Sequence, residues 1–87
     1  MREYPYLSES IAYVLETLRL ERGMSKSALA DFAAIQRKYL FEIEQGEKRP
    51  TVNAIFSLCD ALQVEPDEFF RQVVARMKAL QKESPRQ

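Results

Sequence analysis

Apolar residues recur three and four positions apart along most of the chain, the spacing that lines one face of an α-helix. Ile11, Val14, Leu15 and Leu18 form the first such stripe, with Ser8 or Ser10 as its expected N-cap and Arg22-Gly23 as its end. Ser25 is the expected cap of a short second helix, Lys26 to about Ala33, which buries Ala28 or Leu29 and Phe32 or Ala33. Ala34-Ile35-Gln36 leaves room only for a tight turn into a third helix, Arg37 to Glu44, anchored inward by Leu40 and Ile43. Gly46 ends that helix, and Glu47-Lys48-Arg49-Pro50 forms an exposed connection. Thr51 caps a fourth helix with Val52, Ile55, Leu58, Cys59 and Leu62 inward. Pro66 with the acids Asp67 and Glu68 opens a fifth, because proline suits the first helical position and carboxylates suit the positive end of the dipole. It runs to about Lys82, and Ser84-Pro85-Arg86-Gln87 is expected to be a frayed tail. No hairpin signal interrupts this pattern. The fold class is all-α with five helices, the last one extended.

Two short helices joined by three or four residues have the geometry of a helix-turn-helix. Such a unit needs a small residue where the helices touch, and Ala30 provides it; Ile35 fills the inside of the turn. With Leu40 and Ile43 turned inward, Arg37, Lys38, Phe41 and Glu42 point away from the core. A basic, polar outer face on a firmly anchored helix suits entry into a DNA major groove.

Composition narrows the function classes. With 87 residues, 46% of them hydrophobic, the chain supports one core, so residues 1–87 are expected to form a single domain. One cysteine and no histidine exclude a disulfide framework and make a standard zinc site implausible; Cys59 reads as core. No apolar run reaches membrane-spanning length and the first residues lack the apolar centre of a secretory signal, so the expected location is the cytoplasm. No activated nucleophile or glycine-rich phosphate loop is present, so neither catalysis nor a cofactor or small-molecule ligand is expected. Thirteen basic and thirteen acidic residues cancel, which speaks against a non-specific polyanion binder. The distribution is uneven, however: residues 19–49 carry net +2, 50–70 net −4 and 71–87 net +4.

Leu18-Arg19-Leu20-Glu21-Arg22-Gly23-Met24-Ser25-Lys26, Leu29-Ala30, Ile43-Glu44-Gln45-Gly46-Glu47-Lys48-Arg49-Pro50, Leu62-Gln63-Val64-Glu65 and Phe69-Phe70 occur in this order and spacing. Together, over roughly residues 11–70, they resemble the lambda-repressor/Cro-type (XRE) helix-turn-helix family. The resemblance implies a five-helix domain, core about 8–70, that binds double-stranded DNA at a palindromic operator as a homodimer. It implies that Arg37, Lys38 and Glu42 face bases with Phe41 beside them, that Lys26 touches phosphate, and that Gln36 caps the recognition helix. It also implies that Glu44 is an inward-facing acid and a candidate partner for Arg19. Ala34 stands where the family prefers glycine, Gln36 replaces the usual Ser, Thr or Asp cap, and Phe41 is large and apolar for its position. Within the family, the chain resembles restriction–modification controller proteins, and the same domain equally serves phage repressors of the Cro kind and antitoxin-type repressors, which stay open as readings.

On DNA, Arg37 suits a bidentate contact to guanine, Lys38 a guanine or phosphate, and Glu42 a cytosine amino group. Phe41 either rests on a thymine methyl or serves a protein contact. Lys26, Gln36, Tyr39, Lys48 and Arg49 are the candidates for holding the backbone, and about four neutralised phosphates per protomer give a dimer a salt slope of roughly −7. Phe70, Val73, Met77 and Leu80, at spacings of three, four and three, form a short seam on the helix over about 66–82. That seam either packs against a partner's helix or caps the domain's own core. The reading from a different class is a protein–protein interaction module that keeps the fold without binding DNA, favoured by the acidic 50–70 segment and by exposed Phe41.

Overall fold

Helix punctuation in the sequence is matched closely by the backbone. The computed structural model describes residues 2–83, and the expected tail Ser84–Gln87 lies outside them. Among the described residues the elements are five helices and no strand: α1 (Leu7–Glu21), α2 (Lys26–Ala33), α3 (Arg37–Glu44), α4 (Val52–Leu62) and α5 (Pro66–Glu83). Ser25 Oγ accepts from the Ala28 N–H at 3.0 Å and Thr51 Oγ1 from the Ala54 N–H at 3.0 Å. Each hydroxyl thereby satisfies a helix-start donor that has no partner within its own helix. Gly46 ends α3 at φ +78°, a conformation that costs glycine nothing.

The start of α1 differs from expectation. Neither serine caps it; Tyr6 occupies the cap position in the left-handed conformation (φ 67°), and the helix begins at Leu7. Ser10 lies a turn inside and is fully buried, while Ser8 Oγ accepts from Arg49 Nε at 2.8 Å.

One core joins all five helices. Leu15, Leu29, Leu40, Ile43 and Leu62 have no exposed surface, and Leu58, Phe69 and Val73 are 1% exposed. Burying each such side chain contributes about 1.5–3 kcal/mol. α1 packs on α5 and α3, and α2 packs on α4 and α3. The buried face of α2 is Leu29, Ala30 and Ala33, leaving Phe32 outside. Small residues there let the backbones of two short helices approach.

Two expectations need correction. Val52 is exposed: α4 turns Ala54, Ile55, Leu58, Cys59 and Leu62 inward, and its first turn overhangs the edge of the core. The α5 seam is also displaced. Val73 is buried in the domain's own core and Met77 packs against it, because this face of α5 covers the rest of the core. Leu80 is half-buried, and the exposed large apolar residues of α5 are Phe70 and Val74, four apart on a neighbouring face.

Candidate nucleic-acid interface

The turn between α2 and α3 sets the geometry of the site. Ala34 adopts φ 58°, ψ 42°, the left-handed conformation that glycine would adopt without strain. Ala34 N–H donates to the Asp31 carbonyl at 3.2 Å and Ile35 N–H to the Ala30 carbonyl at 3.0 Å, closing the end of α2. Ile35 tucks against the core. Gln36 holds the N-cap position of α3, but its side chain makes no capping hydrogen bond. Packing of Leu40 and Ile43 therefore holds the helix rather than its cap.

The other end of α3 is tied down by charge. Arg19 Nε and Nη2 donate to the two Glu44 carboxylate oxygens at 2.9 and 3.1 Å, and Arg19 Nη1 donates to the Met24 carbonyl at 2.9 Å. Both side chains are almost wholly buried, 7% and 2% exposed. The resemblance-based pairing of these residues is present, linking α1, the loop before α2 and α3. Glu44 holds the scaffold together and does not face outward.

On the outer face, Arg37, Lys38 and Phe41 are exposed and Glu42 flanks them half-buried. Lys26, from the start of α2, brings its ammonium 5.3 Å from the centre of the Phe41 ring. The aromatic face thus steadies a cation beside α3. Tyr39 is half-buried; its hydroxyl accepts from the Thr51 N–H at 3.0 Å, which leaves its own hydrogen free to donate. The Lys48 ammonium lies 6.0 Å from the Tyr39 ring centre and 3.4 Å from Glu42 Oε1. Gln36, Lys38, Tyr39, Glu42 and Lys48 wall an open concavity of about 480 Å³ beside the turn.

Two cations turn to carboxylates that sequence reasoning did not single out. Arg49 Nη2 donates to Glu3 at 2.9 Å, and with its bond to Ser8 this ties Arg49 to the segment leading into α1. Arg37 Nε and Nη2 donate to Asp31 Oδ1 and Oδ2 at 3.3 and 2.9 Å. These hydrogen bonds hold the Asp31 carboxyl below its usual range and raise the Arg37 guanidinium above its own. The sequence signal for this pair is a carboxylate and a guanidinium six residues apart across a three-residue turn. Lys38 makes no ion pair among the described residues.

Cys59 is buried in α4, and burial pushes its thiol up to about 11. Among the described residues no cluster of three or more His, Cys, Asp or Glu could hold a metal ion, and no helix is long and apolar enough to cross a membrane.

The helix-turn-helix family model matches residues 15–69, which contain both short helices, their turn and the packing helices around them. The chain belongs to the helix-turn-helix family. The chain is similar to the transcriptional regulator ClgR of Mycobacterium tuberculosis, 34% identical over 56 residues, which are 64% of this chain and 50% of that protein. The chain thus spans about half the length of the curated relatives it matches. The clp gene regulator ClgR of Corynebacterium glutamicum superposes with a TM-score of 0.81 at 25% identity, covering 93% of this chain and 88% of that one. The restriction–modification controller protein C.Esp1396I, as a tetramer in complex with its natural 35-base-pair operator, superposes at 0.76 with 25% identity, over 83% and 95%. These relatives are transcriptional regulators and a restriction–modification controller.

Proposed function

We propose that the chain is a transcriptional regulator that binds double-stranded DNA sequence-specifically in the cytoplasm, recognising a two-fold symmetric operator as a homodimer. The observation that carries this reading is the division of α3. Leu40 and Ile43 are wholly buried, while Arg37 and Lys38 on the same two turns are exposed. A rigid rod with a cationic outer flank fits the major groove, where guanine presents two acceptors to an arginine fork. Lys26, Tyr39 and Lys48 adjoin that flank and suit the phosphate backbone, which fixes register without reading sequence. Arg49 joins them only by exchanging Glu3 for phosphate. Similarity to regulators, one of them described on its operator, supports the same reading.

One protomer presents one recognition helix, too few contacts for a unique site. Two protomers related by a two-fold axis place their helices about 34 Å apart on one face of DNA. Phe70 and Val74 of α5, both exposed, are the apolar residues suited to that contact. Selection from random duplexes tests the proposal. An enriched palindrome whose binding is lost in the Arg37→Ala, Lys38→Ala double variant is the expected result; no enriched sequence refutes it.

A further inference from the structure

The way Asp31 grips Arg37 has a consequence for base reading. A guanidinium carries five N–H donors in a planar fork, and Asp31 takes the one on Nε and one of the two on Nη2. Of the three that remain, one on Nη1 and one on Nη2 form the end-on edge, which matches the O6 and N7 acceptors of guanine. Resting on the reading of α3 as the DNA-facing helix, we propose that Asp31 is a positioning residue that fixes Arg37 for guanine and thereby sets specificity at one base pair of each half-site.

Three observations support this assignment. First, the pair is 60% and 59% exposed, so in water it adds little to stability and its effect lies in orientation. Second, the two residues stand on elements anchored in the core. Asp31 is held by the buried Leu29, Ala30 and Ala33 of α2, and Arg37 opens a helix anchored by Leu40. The Ala34 turn locks one helix end against the other. Third, the carboxylate cancels the charge of Arg37. A neutral pair is a poor phosphate ligand, so contact at this position is worth most where the free edge finds two acceptors in the plane of a base. Lys38 one residue on, without an ion pair among the described residues, suits either phosphate or base.

The test uses the whole chain and the site recovered by selection, comparing wild type with Asp31→Asn, Arg37→Ala and the double variant. Binding is measured to the selected site, to its single-base-pair variants and to an unrelated duplex, and circular dichroism checks that each protein is folded. Arg37→Ala identifies the base pair by losing roughly 5- to 150-fold in preference there, the fold-change of one bidentate contact. Asp31→Asn should lose about fivefold or more at that same pair while binding the unrelated duplex more tightly, and in the Arg37→Ala background it should change no base preference. Equal tightening on all duplexes with preference intact would make Asp31 a mere repulsive charge and overturn the proposal. No change on any duplex would overturn it too. If Arg37→Ala itself alters no base preference, the assignment of Arg37 as a base reader fails, and the role of Asp31 fails with it.

Discussion

Removing the Glu44 carboxylate would strand the Arg19 guanidinium in a nearly water-free position between α1 and α3. An unpaired buried charge is costly, and breaking such a pair from one side loses about 3–5 kcal/mol. Glu44→Ala should therefore lower unfolding free energy by that amount in a urea titration, whereas Asp31→Ala, at an exposed pair, should change it little. The two arginines look alike in the sequence. Burial separates them, one serving the scaffold and one the surface. Sequence showed which residues leave the core on α3, because Leu40 and Ile43 define the inward face. It did not show that Arg37, Lys48 and Arg49 pair with Asp31, Glu42 and Glu3, since such pairs depend on side-chain conformation and not on periodicity.

At the scale of elements, α2 and α3 were legible to the residue because Ser25, Gly46 and the short turn mark their ends. Packing choices between adjacent apolar residues were not. Spacings of three and four fit both Phe32 and Ala33 on α2, and both Val73 and Val74 on α5, and only the approach of neighbouring helices decides. The exposed member of the α5 pair carries the prediction. Val74→Glu, at the 46% exposed position, should leave a folded monomer in sedimentation, while Val73→Glu, at 1%, should fail to fold. A dimer that survives Val74→Glu would move the interface elsewhere. The turn gives a second prediction. Ala34 at φ 58° carries a left-handed strain of about 1 kcal/mol, so Ala34→Gly should raise the melting temperature by several degrees. A fall in melting temperature would mean that loss of the Ala34 methyl outweighs the relief of strain.

For the molecule as a whole, basic and acidic residues cancel, and at the interface three of the five cations, Arg37, Lys48 and Arg49, are paired with carboxylates. Lys48 and Arg49, two of the backbone candidates, already face Glu42 and Glu3, so DNA must displace carboxylates to reach them. Freed carboxylates gather cations again, which offsets part of the counterion release. The dependence of operator affinity on salt should thus be shallower than the slope of roughly −7 expected from four phosphates per protomer. Glu3→Gln with Glu42→Gln should steepen it, as a titration from low to physiological salt would record. On the proposed reading, weak attraction to generic DNA would leave discrimination to the few contacts of α3.

Methylation interference on the selected site addresses α3 most directly, because a methyl on guanine N7 projects into the major groove and blocks an arginine fork there. The outer face of α3 should make binding of the wild type sensitive to N7 methylation at one guanine in each half-site, with Arg37→Ala indifferent to it. Binding untouched by methylation at every guanine, or interference that persists unchanged in Arg37→Ala, would contradict that placement.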